Sequence, residues 1–280
     1  MRFDRKEDLL MLTNFHTHTR RCRHAYGSDE DYVKEAVKNG YQILGFSDHT
    51  CWPFKNYTSR IRMKPEQFEG YVQSVKQLRE KYKDQIEIRL GMEAEYEPEY
   101  LDWILDLCIE HDVQYLVFGH HFVNGEEAGT YSGMIGKRGL REYVQSARRA
   151  LDTGMYACFA HPELFMRSDL LQMDEDVEQA FTELARLAAE KNIPVEYNCT
   201  GMIANQMYHE ECYPHHRFWE IAAKEGCKAV IGMDCHQPDY LDKRYYEQAR
   251  DYLESLGMEI VEDIGVIDYK ALKEMKNRMV

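Results

Sequence analysis

Histidine and acidic residues follow the ends of six short apolar runs in this chain. These candidate ligands are His16, His18, His49, Glu93, His121, His161, Asp234 and His236. In a barrel of parallel strands, side chains that leave the carboxyl ends converge on one face, so residues far apart in sequence can share one cavity. Imidazole and carboxylate ligands together suit zinc, manganese or iron, and several in one pocket can hold more than one ion. The pattern therefore predicts a metal-dependent hydrolase.

Two of these motifs predict particular roles for their residues. His16 and His18 are two apart in an extended segment, so their side chains point the same way and can bind one ion. His24, in the loop that follows, adds a third imidazole. Glu93 has two carboxylate oxygens and can bridge two ions about 3.5–4 Å apart. Glu95 faces the same side two residues further on and remains an alternative ligand.

A single histidine at a strand end is at least as often a structural residue that bonds to the backbone as it is a ligand. A structural role is improbable for seven histidines and two acids that all follow strand ends, because each buried polar group would need its own partner. Shared metal ions satisfy all of them together. The remaining histidines outside the pattern are interpreted as helix-surface or loop residues: His111, His209, His215 and His216.

Apolar runs of strand length alternate with amphipathic segments of helix length. The strand-like runs are Leu9–Phe15, Gln42–Ser47, Ile86–Met92, Gln114–Phe118, Met155–Ala160, Pro194–Asn198 and Lys228–Met233. The helix-like segments are Ser28–Asn39, Lys64–Tyr82, Glu97–Glu110, Lys137–Leu151, Met173–Lys191 and Glu210–Glu225. This alternation predicts parallel strands with crossover helices. The tail adds a helix-like run (Tyr240–Leu256), a short strand-like run (Met258–Ile264) and a helix from about Asp268.

Local signals refine two of these segments. Ser28 followed by Asp31 resembles a capping box, and Gly40 is a natural helix stop. The glycine-containing stretch Asn124–Gly139 predicts a long loop beside the candidate ligand His121.

Composition limits the classes of partner. The chain has 280 residues, a formal net charge of -14 and 44% hydrophobic residues. We expect one domain over residues 1–280, because barrels of this kind use about 250 residues. The negative charge argues against nucleic acid or an anionic membrane as a partner. Eight cysteines without a C-x-x-C pair, and the lack of a signal-peptide pattern, predict a cytoplasmic protein with reduced thiols.

Six segments resemble, in order and spacing, the motifs of the polymerase and histidinol phosphatase (PHP) superfamily. They are NFHTHT, SDH, GMEAEYEP, HHF, AHPELF and GMDCHQP, and the similarity runs from about residue 12 to residue 238. The intervening YTSRIRMKPEQFEGYV resembles the histidinol-phosphate phosphatase branch. The resemblance implies a distorted seven-stranded α/β barrel, a (β/α)7 relative of the TIM barrel, with three divalent metal ions.

The resemblance also implies a ligand set for each ion. The first ion would be held by His16, His18, Glu93 and Asp234, the second by Glu93, His121 and His161, and the third by His24, His49 and His236. The branch favours His121 over His120 as the ligand, which leaves His120 as a contact of a ligand or of the substrate.

The implied reaction is hydrolysis of L-histidinol phosphate to L-histidinol and phosphate, in histidine biosynthesis. Phosphate monoesters hydrolyse very slowly without a catalyst, so the site must make a nucleophile and neutralise phosphoryl charge. A water bridging two ions would be deprotonated near neutral pH and attack phosphorus in line. Glu93, Asp234 and His236 are the predicted catalytic residues.

Substrate contacts are predicted from residue type and position. Arg62 is the first candidate for a phosphate clamp, and His120 and Asn198 are further candidate contacts. The weaker arginine candidates are Arg20, Arg23, Arg60 and Arg167. Acids that could recognise the amino and imidazole groups are Glu95, Glu163 and Asp48. Asp48 could instead orient a histidine ligand.

Three other functions are compatible with such a site. A nuclease or nucleotide phosphoesterase of the same superfamily would need a basic or aromatic track beside the cleft, and none is evident. An amidohydrolase-type barrel also begins with H-x-H and ends with Asp, but usually has a bridging lysine where this chain has Glu93. A metal-binding module without enzymatic activity is the third. The sequence does not indicate an oligomeric state.

Overall fold

The computed structural model describes residues 11–127 and 129–278, and a seven-stranded parallel sheet lies at its centre. The central strands are β1 (Thr13–Asn14), β2 (Ile43–Phe46), β3 (Glu87–Ala94), β4 (Tyr115–Gly119), β7 (Cys158–Ala160), β8 (Val195–Asn198) and β9 (Ala229–Gly232). They pair in this order, and every pair is parallel. β5 (Phe122–Val123) and β6 (Thr130–Tyr131) form a separate antiparallel pair. The predicted seven-stranded parallel arrangement is therefore confirmed.

The sheet closes into a barrel between its first and last strands, just beyond their carboxyl ends. The His18 amide donates to the Cys235 carbonyl, and the Cys235 amide donates to the His16 carbonyl, each over 3.0 Å. Nearer the strands, the Asn14 side-chain oxygen accepts from the Met233 amide at 2.9 Å. The segments that close the barrel are thus the segments that carry the first and last candidate ligands.

Helices cover the outside of the barrel. They are α1 (Asp29–Asn39), α2 (Pro65–Tyr82), α3 (Leu101–His111), α4 (Lys137–Asp152), α5 (Glu175–Lys191), α6 (Cys199–Tyr208), α7 (His216–Lys224), α8 (Lys243–Ser255) and α9 (Tyr269–Arg278). The predicted capping box of Ser28 and Asp31 is present, and Gly40 ends α1 in the left-handed conformation. In the part of the chain that the structure covers, no helix is long and apolar enough to cross a membrane.

The structure differs from the sequence prediction in three segments and in the predicted loop described below. Helix α6 was not predicted, because apolar residues continue past β8. The Asn198 side chain caps this helix by accepting from the Gly201 amide at 2.8 Å. In Glu210–Glu225 only the second part is helical, as α7. The run Met258–Ile264 makes one bridge, Ile260 to Ala229, instead of a strand.

The predicted loop Asn124–Gly139 contains more structure than expected. It holds β6, a short 3-10 turn at Ser132–Met134 and the start of α4. At the other end of the chain, the first two residues of the strand-like run Leu9–Phe15 lie outside the described residues.

Tyr115 of β4 fills the interior of the barrel below the candidate site. Its hydroxyl lies 3.0 Å from the carbonyl oxygens of Phe15 and Phe46, to which it can donate. Two neighbouring glycines make room for the phenol: a Cβ on Gly45 would lie 2.1 Å from the hydroxyl oxygen, and one on Gly91 would lie 2.3 Å from Cζ. The ring therefore joins three strands from inside.

Gly91→Ala should lower the free energy of unfolding by about 1–3 kcal/mol, because the added methyl group overpacks against a rigid aromatic ring. The matched control is Gly70→Ala in α2, where an added Cβ meets nothing within 4 Å. That change should leave stability equal or raise it by up to about 1 kcal/mol. Urea unfolding measures both variants, and a Gly91→Ala protein as stable as wild type would contradict the packing described.

Candidate metal centre

The carboxyl ends of the barrel strands face one cavity of about 700 Å³. Six of the nine predicted metal ligands line it: His24, His49, His121, His161, Asp234 and His236. The other three, His16, His18 and Glu93, lie buried beneath it with at most 1% of their surface exposed. The structure thus brings all nine residues to the same end of the barrel.

The carboxylate of Glu93 is at the centre, with imidazole nitrogens of five histidines within 3.5 Å. Those near Oε1 are His161 Nε2 (3.1 Å) and His121 Nε2 (3.4 Å), and those near Oε2 are His49 Nδ1 (2.9 Å), His16 Nε2 (3.5 Å) and His18 Nε2 (3.5 Å). Each oxygen faces its own set of imidazoles, which is the arrangement that a bridging carboxylate requires. Gly119 leaves the space, because a Cβ there would lie 2.3 Å from Glu93 Oε1.

Several sets of three side chains could each hold an ion, with donor atoms within 4.8 Å of one another. They include the sets His16–His18–Asp234, His24–His49–His236 and His16–Glu93–His161. The first two sets fall within two of the three groupings implied by the resemblance. Cys22 forms a further set with His18 and His236.

Buried donor atoms show that the residues fit divalent cations. His18 Nδ1, His161 Nδ1 and His236 Nε2 are buried and have no hydrogen-bond partner among the described residues. The Nε2 atoms of His16 and His18 lie only 3.1 Å apart. Buried polar atoms are normally paired, and a set of imidazole and carboxylate donors matches zinc, manganese or iron.

The charges of the cluster lead to the same conclusion. Burial lowers the pKa of His18, but Asp234 and Asp48 outweigh burial and raise it to about 9. Burial and the neighbouring His18 lower the pKa of His236 to about 3. Burial raises the pKa of Glu93, yet the surrounding imidazoles hold it well below its ordinary value. The acids thus remain ionised beside a few protonated imidazoles, whose place divalent ions can take.

Carboxylates lie behind two of the candidate ligands. Glu95 Oε1 accepts from His121 Nδ1 at 2.8 Å, and Asp48 Oδ1 lies 3.6 Å from His18 Nδ1. A hydrogen bond such as that to Glu95 fixes the orientation of a ligand ring and leaves its other nitrogen free. Glu95 therefore orients a candidate ligand, whereas Asp48 lies beyond hydrogen-bond distance of the His18 ring and accepts from the His49 amide at 2.8 Å.

A third such acid, Glu196 of β8, was not predicted. Its Oε1 accepts from His16 Nδ1 at 2.7 Å. The sequence did contain an indication of its role: Glu196 lies two residues before Asn198, so both side chains are on the same face of the strand. It was overlooked because the strand otherwise has an apolar pattern.

The structure contradicts the prediction that Arg62 binds phosphate. The residue is 1% exposed, and each of its three nitrogens has a protein acceptor. Nε donates to Glu126 at 2.6 Å, Nη1 to the Thr50 carbonyl at 3.1 Å and Nη2 to Glu95 at 2.7 Å. Arg62 therefore holds the acid behind His121 and does not reach the cavity.

His120 and Asn198 do not line the cavity either. The His120 ring is buried between Phe118 and Tyr143, with centroid distances of 5.2 and 4.0 Å. Alternation along the chain directs His121 inwards and its neighbour outwards. Asn198 Nδ2 donates to Asp234 Oδ2 at 3.1 Å, so it orients a candidate ligand. Both predicted substrate contacts are wrong.

The acids proposed to recognise the substrate are also engaged elsewhere. Glu163 Oε1 accepts from Trp219 Nε1 at 2.9 Å and from the His215 amide at 3.2 Å, outside the cavity. His215, predicted as a helix-surface or loop residue, lies just before the helix as the buried N-cap of α7. Among the described residues, Asp234 is the only acid that lines the cavity.

Arg167 is the arginine that lines the cavity, although the sequence ranked it low. It lies on the turn after β7, six residues beyond His161, beside Tyr131 and Tyr213, which also line the cavity. Its side chain is exposed and forms no salt bridge within residues 11–127 and 129–278. The other arginine candidates, Arg20, Arg23 and Arg60, do not line the cavity.

Comparison with known proteins agrees with this geometry. The PHP domain family matches residues 14–200. A protein named probable histidinol-phosphatase from Deinococcus radiodurans is 25% identical over 246 residues, covering 86% of this chain and 92% of its own. One of the same name from Schizosaccharomyces pombe is 24% identical over 275 residues, covering 89% and 88%.

A solved structure has the same fold. It is the histidinol phosphate phosphatase of Lactococcus lactis complexed with zinc, L-histidinol and phosphate, with a TM-score of 0.67 at 18% identity. The match covers 89% of this chain and 95% of the other.

Glu97 belongs to the acidic cluster around Arg62. It accepts from the Glu126 amide at 2.8 Å. Burial raises the pKa of Glu97 to about 7, and the neighbouring carboxylates of Glu95 and Glu126 add to this. The folded protein therefore favours the protonated carboxyl. The free energy of unfolding should fall as pH rises from about 4.5, the pKa of Glu97 in the unfolded chain, to about 7, its pKa in the folded protein.

Glu97→Gln should remove this loss of stability at higher pH, because the amide oxygen still accepts from the Glu126 amide and the side chain stays neutral. We expect the variant to gain about 1–3 kcal/mol over wild type between pH 5 and pH 8. Urea unfolding at both pH values measures the difference, and Glu99→Gln, at an exposed position, is the control. Identical pH dependence in wild type and Glu97→Gln would refute the assignment.

Proposed function

We propose that this chain, which belongs to the PHP domain family, is a metal-dependent phosphomonoesterase that converts L-histidinol phosphate to L-histidinol and phosphate. The observation that carries the proposal is the convergence of nine donor residues, with Glu93 at their centre, at the floor of a cavity that also contains Arg167. The names of the relatives from two distant organisms, each similar over most of the chain, support the substrate.

The proposed ligands hold three divalent ions, in the groupings given by the family resemblance. Zinc is the first choice, because the Lactococcus lactis enzyme binds it, and the same donors suit manganese or iron. When bound, the ions supply positive charge for the phosphoryl oxygens and lower the pKa of water to make a nucleophile. Glu93, Asp234 and His236 are the residues that we assign to holding them where the reaction takes place.

Arg167 is the proposed phosphate contact from the protein. A guanidinium is always charged at neutral pH and presents a planar fork of donors that matches phosphate oxygens. Tyr131 and Tyr213 lie beside it in the wall of the cavity. Arg167 therefore replaces Arg62 in the mechanism inferred from the sequence.

The upper part of the cavity suits a small aromatic substrate. Its walls carry Tyr26, Phe122, Tyr131, Tyr213 and Tyr240. Aromatic side chains offer flat apolar surfaces against which an imidazole ring can pack. Arg167 is the only lysine or arginine of the described chain on these walls. That single cation favours a small phosphate monoester over a polynucleotide, which needs an extended basic track.

We further propose that residues 1–280 form one domain, that the protein is cytoplasmic and that it serves histidine biosynthesis. All eight cysteines are free, which is common in a reducing compartment. The nine candidate ligands lie on or follow six of the seven central strands, and Glu196 and Asn198 of the seventh contact them, so the site needs the complete sheet.

The proposed activity is tested with metal-loaded protein on L-histidinol phosphate, other small phosphomonoesters and a dinucleotide. We expect a kcat/KM for L-histidinol phosphate at least about a hundredfold above the others. Chelation should abolish turnover, and zinc or manganese should restore it. Equal slow rates on all monoesters would reject the histidinol assignment, and no turnover with metals bound would favour a non-enzymatic module.

Arg167→Ala should lower kcat/KM for L-histidinol phosphate about a hundredfold, because a charge-assisted contact to the phosphate is lost. The control is Arg148→Ala, on the exposed face of α4 away from the cavity, which should have no effect. Steady-state kinetics measures both. An unchanged specificity constant in Arg167→Ala would remove this residue from substrate binding.

A further inference from the structure

Glu196 lies beneath the candidate metal centre and contacts two of its ligands directly. Its carboxylate is 1% exposed. Oε1 accepts from His16 Nδ1 at 2.7 Å, and Oε2 accepts from the backbone amide of His161 at 3.2 Å. Oε2 also accepts from Asn198 Nδ2 at 3.2 Å. One acid of β8 thus touches ligand segments that follow β1 and β7.

Asn198 extends the contact to a third ligand. The same Nδ2 group that donates to Glu196 lies 3.1 Å from Asp234 Oδ2. The ligand segments after β1, β7 and β9 are therefore joined through one buried carboxylate. Asp48 accepts from the backbone amide of His49 at 2.8 Å and Glu95 from the ring of His121, and neither joins ligand segments from three strands.

Two of these ligands have an unusual backbone. His161 has a φ of 30° and Asp234 a φ of 47°, in the left-handed region that residues with a Cβ rarely adopt. The other described non-glycine residues with positive φ end helices or lie in a turn: Arg23, Asp112, Asn124, Asn192 and His209. Strained backbone persists where its surroundings hold it. Both strained ligands are connected to Glu196, His161 directly and Asp234 through Asn198.

The neighbouring strand is shaped for this carboxylate. A Cβ on Gly232 of β9 would lie 1.7 Å from Glu196 Oε1. Any larger residue at this position would displace the acid from His16.

We propose that Glu196 is a positioning residue that holds His16, His161 and Asp234 in the arrangement that binds metal. The proposal rests on the metal-dependent function proposed above, but it concerns ligand geometry and not turnover. The chemistry requires a carboxylate, because all three neighbours of Glu196 are donors: an imidazole N–H, a backbone N–H and a side-chain amide. Accepting the Nδ1 proton of His16 also keeps Nε2 of that ring free for an ion.

Glu196→Gln tests this requirement at constant size. The amide has one acceptor oxygen, so it can face either His16 or the pair formed by His161 and Asn198. The NH2 group of the glutamine then faces an N–H donor on the other side and cannot accept a hydrogen bond from it. We expect zinc affinity of the ions held by these ligands to fall about 10–100-fold, with fewer zinc ions per chain after dialysis at limiting zinc. The visible spectrum of the cobalt-substituted protein should change as well.

Three controls separate positioning from general damage. Glu95→Gln removes the acid behind His121 and should weaken the second ion while leaving the ion held by His16, His18 and Asp234 as in wild type. Glu190→Gln, at an exposed position of α5, should change nothing. Asn198→Ser keeps an N-cap for α6 but cannot reach Asp234, so it should weaken zinc binding without altering the contact between Glu196 and His16.

Wild-type zinc affinity and cobalt spectrum in Glu196→Gln, even with lower stability, would overturn the proposal. If Glu196→Gln does not fold, Asn198→Ser decides, since unchanged zinc affinity there would also overturn it. A wild-type protein that binds zinc but hydrolyses no phosphomonoester would refute the proposed function alone, because the Glu196 measurements do not depend on turnover.

Discussion

The buried carboxylate of Glu93 is the constraint on which the rest of the site depends. An ionised acid with 1% exposure is costly unless charges of opposite sign surround it. Imidazoles of five histidines, delivered by strands β1, β2, β4 and β7, meet this requirement within 3.5 Å. Gly119 lets the carboxylate stand between them. A cluster so rich in lone pairs is best satisfied by cations shared among its members, which explains why the ligands belong together.

The imidazoles in turn need fixed orientations, and a layer of buried acids provides them. Glu95 holds His121 and is itself held by Arg62, so the contacts continue outwards from ring to acid to guanidinium. Within the described residues no arginine pairs with Glu196, whose oxygens accept from an imidazole, a backbone amide and a side-chain amide. Below both acids, Tyr115 fills the barrel and joins its strands. The acids behind the site are thus engaged with ligand rings and amides, and several of the buried atoms without a partner among the described residues belong to candidate metal ligands.

The direction of a side chain was predictable where the two-residue period of a strand determines it, and was not predictable where it depends on the path of a loop. The ligands at the ends of the parallel strands converge because the carboxyl ends of such strands share one face, so their sequence positions were sufficient. Arg62 lies between β2 and α2, where no period indicates the direction of a side chain, and it points into the protein. His120 shows the opposite error, because alternation beside His121 already directed it away from the cavity. Helix α6 was missed because apolar residues continue past β8, and the start of the helix is marked only by the cap of Asn198.

The proposed substrate contacts therefore come from a different part of the chain than the candidate metal ligands. The aromatic residues that line the cavity lie on β5, on β6, before α7 and in the loops, and none of them is a predicted ligand. Changes at these positions leave the ligand layer and its acids intact, so one barrel can retain its ions while its preferred ester changes. The chain is 25% identical to a relative that matches 86% of its length. So low an identity is compatible with a shared barrel and shared ligands, because these need only a small share of the sequence.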